Sequence, residues 1–152
     1  MSHGTRRRDR HQCPRDRVYA ALNDPEILKR CIPGCEELIK HSDTDLEAKV
    51  VLKIGPVKAR FGGKVKLDTA GAPGAFSLAG EGSGGTAGFA RGGADVTLAE
   101  DGGQTTLRYT AKAEIGGKLA QLGSRLVQST AKKLSASFFE KFAATFEADA
   151  TA

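Results

Sequence analysis

The sequence predicts an α+β domain in which a curved antiparallel sheet is crossed by one long C-terminal helix. Three observations predict it. From Ala48 to Ile115 apolar and polar residues alternate, the period of strands that bury one face. From Gly117 to Ala148 the period changes. Leu119, Leu122, Leu126, Thr130, Leu134, Phe138, Phe142 and Phe146 recur every three or four residues, the apolar stripe of an amphipathic helix. The chain also carries 19 glycines, many of them inside the alternating stretches, where they favour bends and close backbone approach.

The elements follow in order. Residues 1–13 lack apolar periodicity and form a basic segment, at most a first strand. A short helix follows, with Pro14 near its start and Val18, Tyr19, Ala21 and Leu22 on its apolar side. Asn23-Asp24-Pro25 stops that helix and caps a second one, with Pro25 at the first helical position. The second helix runs to about Cys31, and Pro33-Gly34 turns the chain. Ala48, Val50, Leu52 and Ile54 face one way, and Gly55-Pro56 is a turn. Val57, Ala59, Phe61, Val65 and Leu67 return on the same face. Ala75 to Gly82 is a strand with Phe76 and Leu78 inward, and Ala94, Val96 and Leu98 mark the next. Asp101-Gly102-Gly103 predicts a hairpin into Leu107, Tyr109, Ala111, Ala113 and Ile115. The domain therefore spans 14–148, with a short end at 149–152. The inward residues Ala48, Ala59, Gly63, Ala94, Ala111 and Ala113 are small and leave volume beneath the helix.

Composition narrows the function. No run of ~18 apolar residues exists to span a bilayer, and the arginine-rich N-terminus lacks the apolar segment of a secretory signal. Three cysteines argue against a disulfide framework and fit a reducing cytoplasm. Most of the net charge of +5 lies in residues 1–17, where six arginines face two aspartates. That tail is read as a solvated, frayed end rather than a nucleic-acid arm.

Candidate chemistry is sparse. Cys31 and Cys35 are spaced C-x3-C, without a second cysteine pair or a histidine pair to complete a metal site. The run Gly80 to Gly93 lacks the strand–G-x-G-x-x-G–helix order and any GK[ST], so bent strands and turns explain it better than a phosphate loop. The predicted inward faces offer Tyr109 and a few hydroxyls but no carboxylate, histidine or cysteine, and Glu81 is expected to point outward. No catalytic residue is assigned. Lys49, Lys53, Lys58, Arg60, Lys64 and Lys66 form an outward basic row, either a solvated face or a contact for anionic lipid or an acidic partner.

A set of short motifs is more specific. These are Ala21-Leu22-Asn23-Asp24-Pro25, Cys31-Ile32-Pro33-Gly34-Cys35 and Lys53-Ile54-Gly55-Pro56-Val57-Lys58-Ala59-Arg60-Phe61. Gly80-Glu81-Gly82, Gly88-Phe89-Ala90 and Gly92-Gly93-Ala94 follow. Gly116-Gly117-Lys118-Leu119-Ala120-Gln121-Leu122-Gly123-Ser124-Arg125-Leu126 and Thr130-Ala131-Lys132-Lys133-Leu134 complete the set. Together, and in this order, they resemble the G-subunit family of carbon monoxide dehydrogenase, within the START-like, polyketide cyclase (SRPBCC) superfamily, from about Pro14 to Phe146.

The resemblance implies a helix-grip fold, with about seven strands wrapped around the C-terminal helix and two short helices after the first strand. It implies a non-catalytic accessory protein that helps a molybdenum hydroxylase of the carbon monoxide dehydrogenase type associate with the inner membrane. That places it in the cytoplasm, peripheral to the membrane. An apolar ligand such as a quinone or lipid is expected between sheet and helix. Phe61, Phe76, Phe89, Tyr109, Leu122, Leu126 and Phe138 are expected to line that space by strand parity and helical phase. No metal and no nucleic acid is expected. Two departures stand out. Relatives open with an apolar strand where this chain reads Gly4-Thr5-Arg6-Arg7-Arg8-Asp9-Arg10-His11-Gln12-Cys13. Many relatives continue into a tail thought to reach the membrane, so attachment by that route is not carried over. The alternatives are a START-like cyclase or hydrolase and a docking protein with a filled core.

Overall fold

The computed structural model describes residues 2–151, with side chains over 4–146. Seven strands form one antiparallel sheet: β1 (Ser2–His11), β2 (Cys35–Lys40), β3 (Asp45–Ile54), β4 (Val57–Asp68), β5 (Ala75–Ser83), β6 (Phe89–Asp101) and β7 (Gln104–Gly116). Their order is β1-β7-β6-β5-β4-β3-β2. Helices α1 (Arg15–Leu22) and α2 (Pro25–Cys31) join β1 to β2, and α3 (Lys118–Gln121) and α4 (Ser124–Thr151) follow β7.

Local chemistry accounts for the joints. Asp24 accepts hydrogen bonds from the backbone N–H of Glu26 (2.9 Å) and Ile27 (3.4 Å), capping α2 above Pro25 at its first turn. Gly102 and Gly103, at φ +59° and +80°, form a two-residue hairpin between paired Asp101 and Gln104. Both central residues need φ > 0 in such a type I′ turn, which glycine supplies without strain.

Two expectations need correction. The basic N-terminal segment is not frayed: it is edge strand β1, paired with β7 from Ser2 opposite Glu114 to His11 opposite Thr105. Its alternation sends Arg6, Arg8 and Arg10 outward and Thr5, Arg7, Asp9 and His11 inward. The inward charges neutralise one another, because Arg7 donates to Asp9 through Nε (2.7 Å) and Nη2 (3.3 Å) while its guanidinium lies over Phe139. The single long helix is interrupted: Gly123 takes φ +91° between α3 and α4, and the helical ladder restarts with Val127 N–H donating to Gly123. Within the glycine-rich run, read as bent strands and turns, Gly85–Ala87 is a short 3-10 turn between β5 and β6.

The register sorts the inner face into layers of falling size. At one end His11 pairs with Thr105, and Leu107 with Leu98. Next come Tyr109, Val96 and Phe76, then Ala111, Ala94, Leu78 and Leu67. Beyond them lie Ala113, Gly92, Gly80 and Val65. The phenylalanines of α4 cover the large end. Phe142 and Val18 are fully buried, and Phe139, Phe146, Cys13, Cys31, Leu98 and Leu107 close around them. At Gly92 a Cβ would collide with the backbone oxygen of Lys112, so only glycine permits this approach of β6 to β7.

Candidate functional site: an apolar cavity between sheet and helix

The cavity forms where the layers change size. Ala94 of β6 sits directly opposite Ala111 of β7, and neither reaches the helix above. The space left measures about 420 Å³, within the ~300–1,000 Å³ of ligand pockets. Leu46, Val65, Leu67, Phe76, Leu78, Val96 and Leu107 complete its sheet wall. Leu134, Ser135, Phe138 and Phe139 of α4 form the roof. Leu22 at the end of α1, Asn23 after it, and Leu28, Ile32 and Pro33 in and after α2, form one end.

Four lining residues are polar: Thr5, Asn23, Tyr109 and Ser135. The Tyr109 hydroxyl donates to Ser135 Oγ (2.8 Å), tying the sheet to the helix across the cavity. Asn23 Nδ2 donates to the Tyr19 carbonyl (2.9 Å), which fixes the α1–α2 corner. Among the described residues, no carboxylate, imidazole or thiol lines the space. The inner face as a whole does carry such groups, contrary to expectation. Asp9 and His11 both point inward from β1, where charged sequence hides a strand. Asp9 is held by Arg7, and His11 lies edge-on to Phe142 and tilted against Phe146, outside the cavity.

Of the residues expected to line the space, Phe76, Tyr109 and Phe138 do so. The other four lie elsewhere. Phe61 faces inward but its ring packs on Gly84, beyond the glycine layers. Leu126 packs on Gly55 in the β3–β4 turn, and Leu122 sits at the break between α3 and α4. Phe89 points outward, 44% exposed, with its ring against Gly116. Parity counted back from Ala94 and Val96 puts Phe89 on the outer face, a signal present in the sequence. Leu67, Leu78 and Phe139 are also legible by parity or phase. Thr5 and the α1–α2 corner are not, because they reach the cavity only through tertiary packing.

The outward basic row is exposed throughout, but acids break it. Arg60 pairs with Glu36 (2.7 Å) and Lys49 with Glu37 (3.5 Å). The Glu47 carboxyl is held below its usual range by its hydrogen bond from His41, aided by Lys64 and Lys49. Glu81 does point outward, opposite Lys64 and Arg91. Two outer-face hollows of about 750 and 560 Å³ are lined mainly by charged side chains over glycine and alanine backbone. Burial pushes the Cys31 thiol up, and Cys35 Sγ donates to the Glu37 carbonyl (3.5 Å). No group of three metal-ligating side chains occurs among the described residues. No helix among them is long and apolar enough to cross a membrane.

The sequence profile of the carbon monoxide dehydrogenase G subunit (CoxG) matches residues 10–146. The chain belongs to this family. No curated protein matches the sequence. Among solved structures, a conserved protein from Geobacillus kaustophilus is 28% identical, with a TM-score of 0.87 over 97% of this chain and 95% of that one. The Zhui aromatase/cyclase from Streptomyces sp. R1128 shares the fold at 11% identity, with a TM-score of 0.71 over 97% of this chain and 94% of that one. A START superfamily protein from Mycobacterium smegmatis does so at 12% identity, with a TM-score of 0.70 over 95% and 97%. This CoxG domain thus has the helix-grip architecture of the START-like superfamily.

Proposed function

We propose that this CoxG-family protein is a non-catalytic accessory factor that holds an apolar molecule, a quinone or a lipid, between sheet and helix. In this reading it serves a molybdenum hydroxylase of the carbon monoxide dehydrogenase type at the membrane. One observation carries the proposal: a cavity of about 420 Å³ whose lining is apolar except for Thr5, Asn23, Tyr109 and Ser135. Burying an apolar ligand there gains ~25 cal/mol per Å² of surface removed from water. The linked hydroxyls of Tyr109 and Ser135 offer one polar anchor for a carbonyl or hydroxyl oxygen. Among the described residues the lining holds no positioned acid, base or nucleophile, which supports binding over turnover. The partly neutralised lysine row is the face this reading offers to an acidic protein partner.

Native mass spectrometry of the freshly purified protein, followed by organic extraction, tests the reading. A co-purifying quinone or lipid is the expected result. Ala111→Phe fills the gap opposite Ala94 and is expected to cut uptake of added ubiquinone or menaquinone at least tenfold with the fold retained. A clean apo mass with no uptake by the wild type would shift the assignment to a docking protein.

A further inference from the structure

The outer side of β1 carries a row of arginines that the cavity does not use. Arg6, Arg8 and Arg10 are exposed on alternate positions, so they stand ~7 Å apart along one line. Arg108 of β7 is exposed directly opposite Arg8. Like charges facing across a strand pair destabilise it unless something neutralises them. Among the described residues none of these four arginines has a carboxylate partner, whereas Arg60, Lys49 and Arg91 elsewhere on this face do. Of the acids on this face, Asp95 lies two strands in from Arg6, and Glu114 of β7 is held by Arg91.

We propose that this row docks the protein on an anionic lipid bilayer, each guanidinium taking a headgroup phosphate. Guanidinium presents a planar fork that matches phosphate oxygens, and a row of three with a fourth beside it on one sheet face suits a planar array of phosphates. The patch has no apolar anchor of the kind that dominates protein interfaces, because the large exposed hydrophobics among the described residues are Ile39 on β2 and Phe89 at the start of β6. It has no aromatic ring to stack on bases either. The inference rests on the membrane-side reading above and names its contact surface. β1 also lines the cavity through Thr5, so docking sets one cavity wall against the bilayer.

The test is co-sedimentation with vesicles of equal parts phosphatidylglycerol and phosphatidylcholine, at low and at high salt. The wild type is expected to bind, less well at high salt. The triple variant Arg6→Ser, Arg8→Ser, Arg10→Ser is expected to lose ~100-fold in partitioning at low salt. The single variant Arg108→Ser, which leaves β1 intact, is expected to lose ~5-fold. Lys49→Ser, Lys53→Ser, Lys58→Ser removes the same charge from the β3–β4 hairpin and is expected to bind as the wild type does. No wild-type binding would sink the membrane reading itself. Binding unchanged in the arginine variants, or lost equally in the lysine triple, would overturn the row while leaving that reading intact. Tighter binding to duplex DNA than to vesicles would reassign the row to nucleic acid.

Discussion

His11 is 3% exposed, yet its Nε2 has no hydrogen-bond partner and both nearest rings are phenylalanines. Burial holds its pKa below the ordinary imidazole value, with Asp9 pulling weakly the other way. The unfolded chain therefore binds a proton that the folded one resists. Stability is full above pH ~6.5 and falls as pH drops below that value toward the folded pKa. Thermal melts at pH 5 and 7.5 are expected to differ, and His11→Leu should flatten the difference; an unchanged slope in the variant would assign it to other groups. Tyr109 poses a smaller question at the same scale. Tyr109→Phe removes the bond to Ser135 and should cost ~1 kcal/mol in urea unfolding, leaving Ser135 alone to bind a ligand oxygen. Periodicity marks Tyr109 as inward. It is silent on His11, because an imidazole in a run of arginines gives no apolar signal.

Elements are legible in proportion to their local chemistry. The α2 start can be read directly, since Asp24-Pro25 supplies both cap and first turn. Asp24→Ala leaves two backbone donors unsatisfied and is expected to cost ~0.5–2 kcal/mol, measured by urea denaturation. The α3–α4 break is hidden, because the apolar stripe continues in phase across it. Gly123 lies at φ +91°, and an alanine there is expected to destabilise by ~1–2 kcal/mol. If Gly123→Ala instead stabilises, the two helices fuse in solution. Strand β1 is hidden for the opposite reason. Its inward residues are polar and satisfy one another through the Arg7–Asp9 pair, so the alternation exists in geometry but not in hydropathy.

For the whole molecule, β1 matters more than its composition suggests. It covers the edge of β7 and lies against α4, where Gln128 donates to the Gly4 carbonyl (2.9 Å) and Arg7 covers Phe139. Deleting residues 1–11 bares both, and the truncated chain is expected to lose its single cooperative transition and aggregate on heating. A truncated chain that melts as the wild type does would restore the frayed-end reading. The sequence by itself determined the helix-grip class, the inner faces of β3 to β7 and a shortage of side-chain volume at Ala94 and Ala111, because alternation and residue size are local quantities. Only the tertiary structure decided where that shortage becomes a cavity. Register set Ala94 against Ala111, the phenylalanines of α4 filled one end, and the α1–α2 corner formed an end wall. It also placed Phe61, Leu122 and Leu126 away from the space. A cavity is a difference between surfaces brought together from distant parts of the chain, and no single segment encodes it.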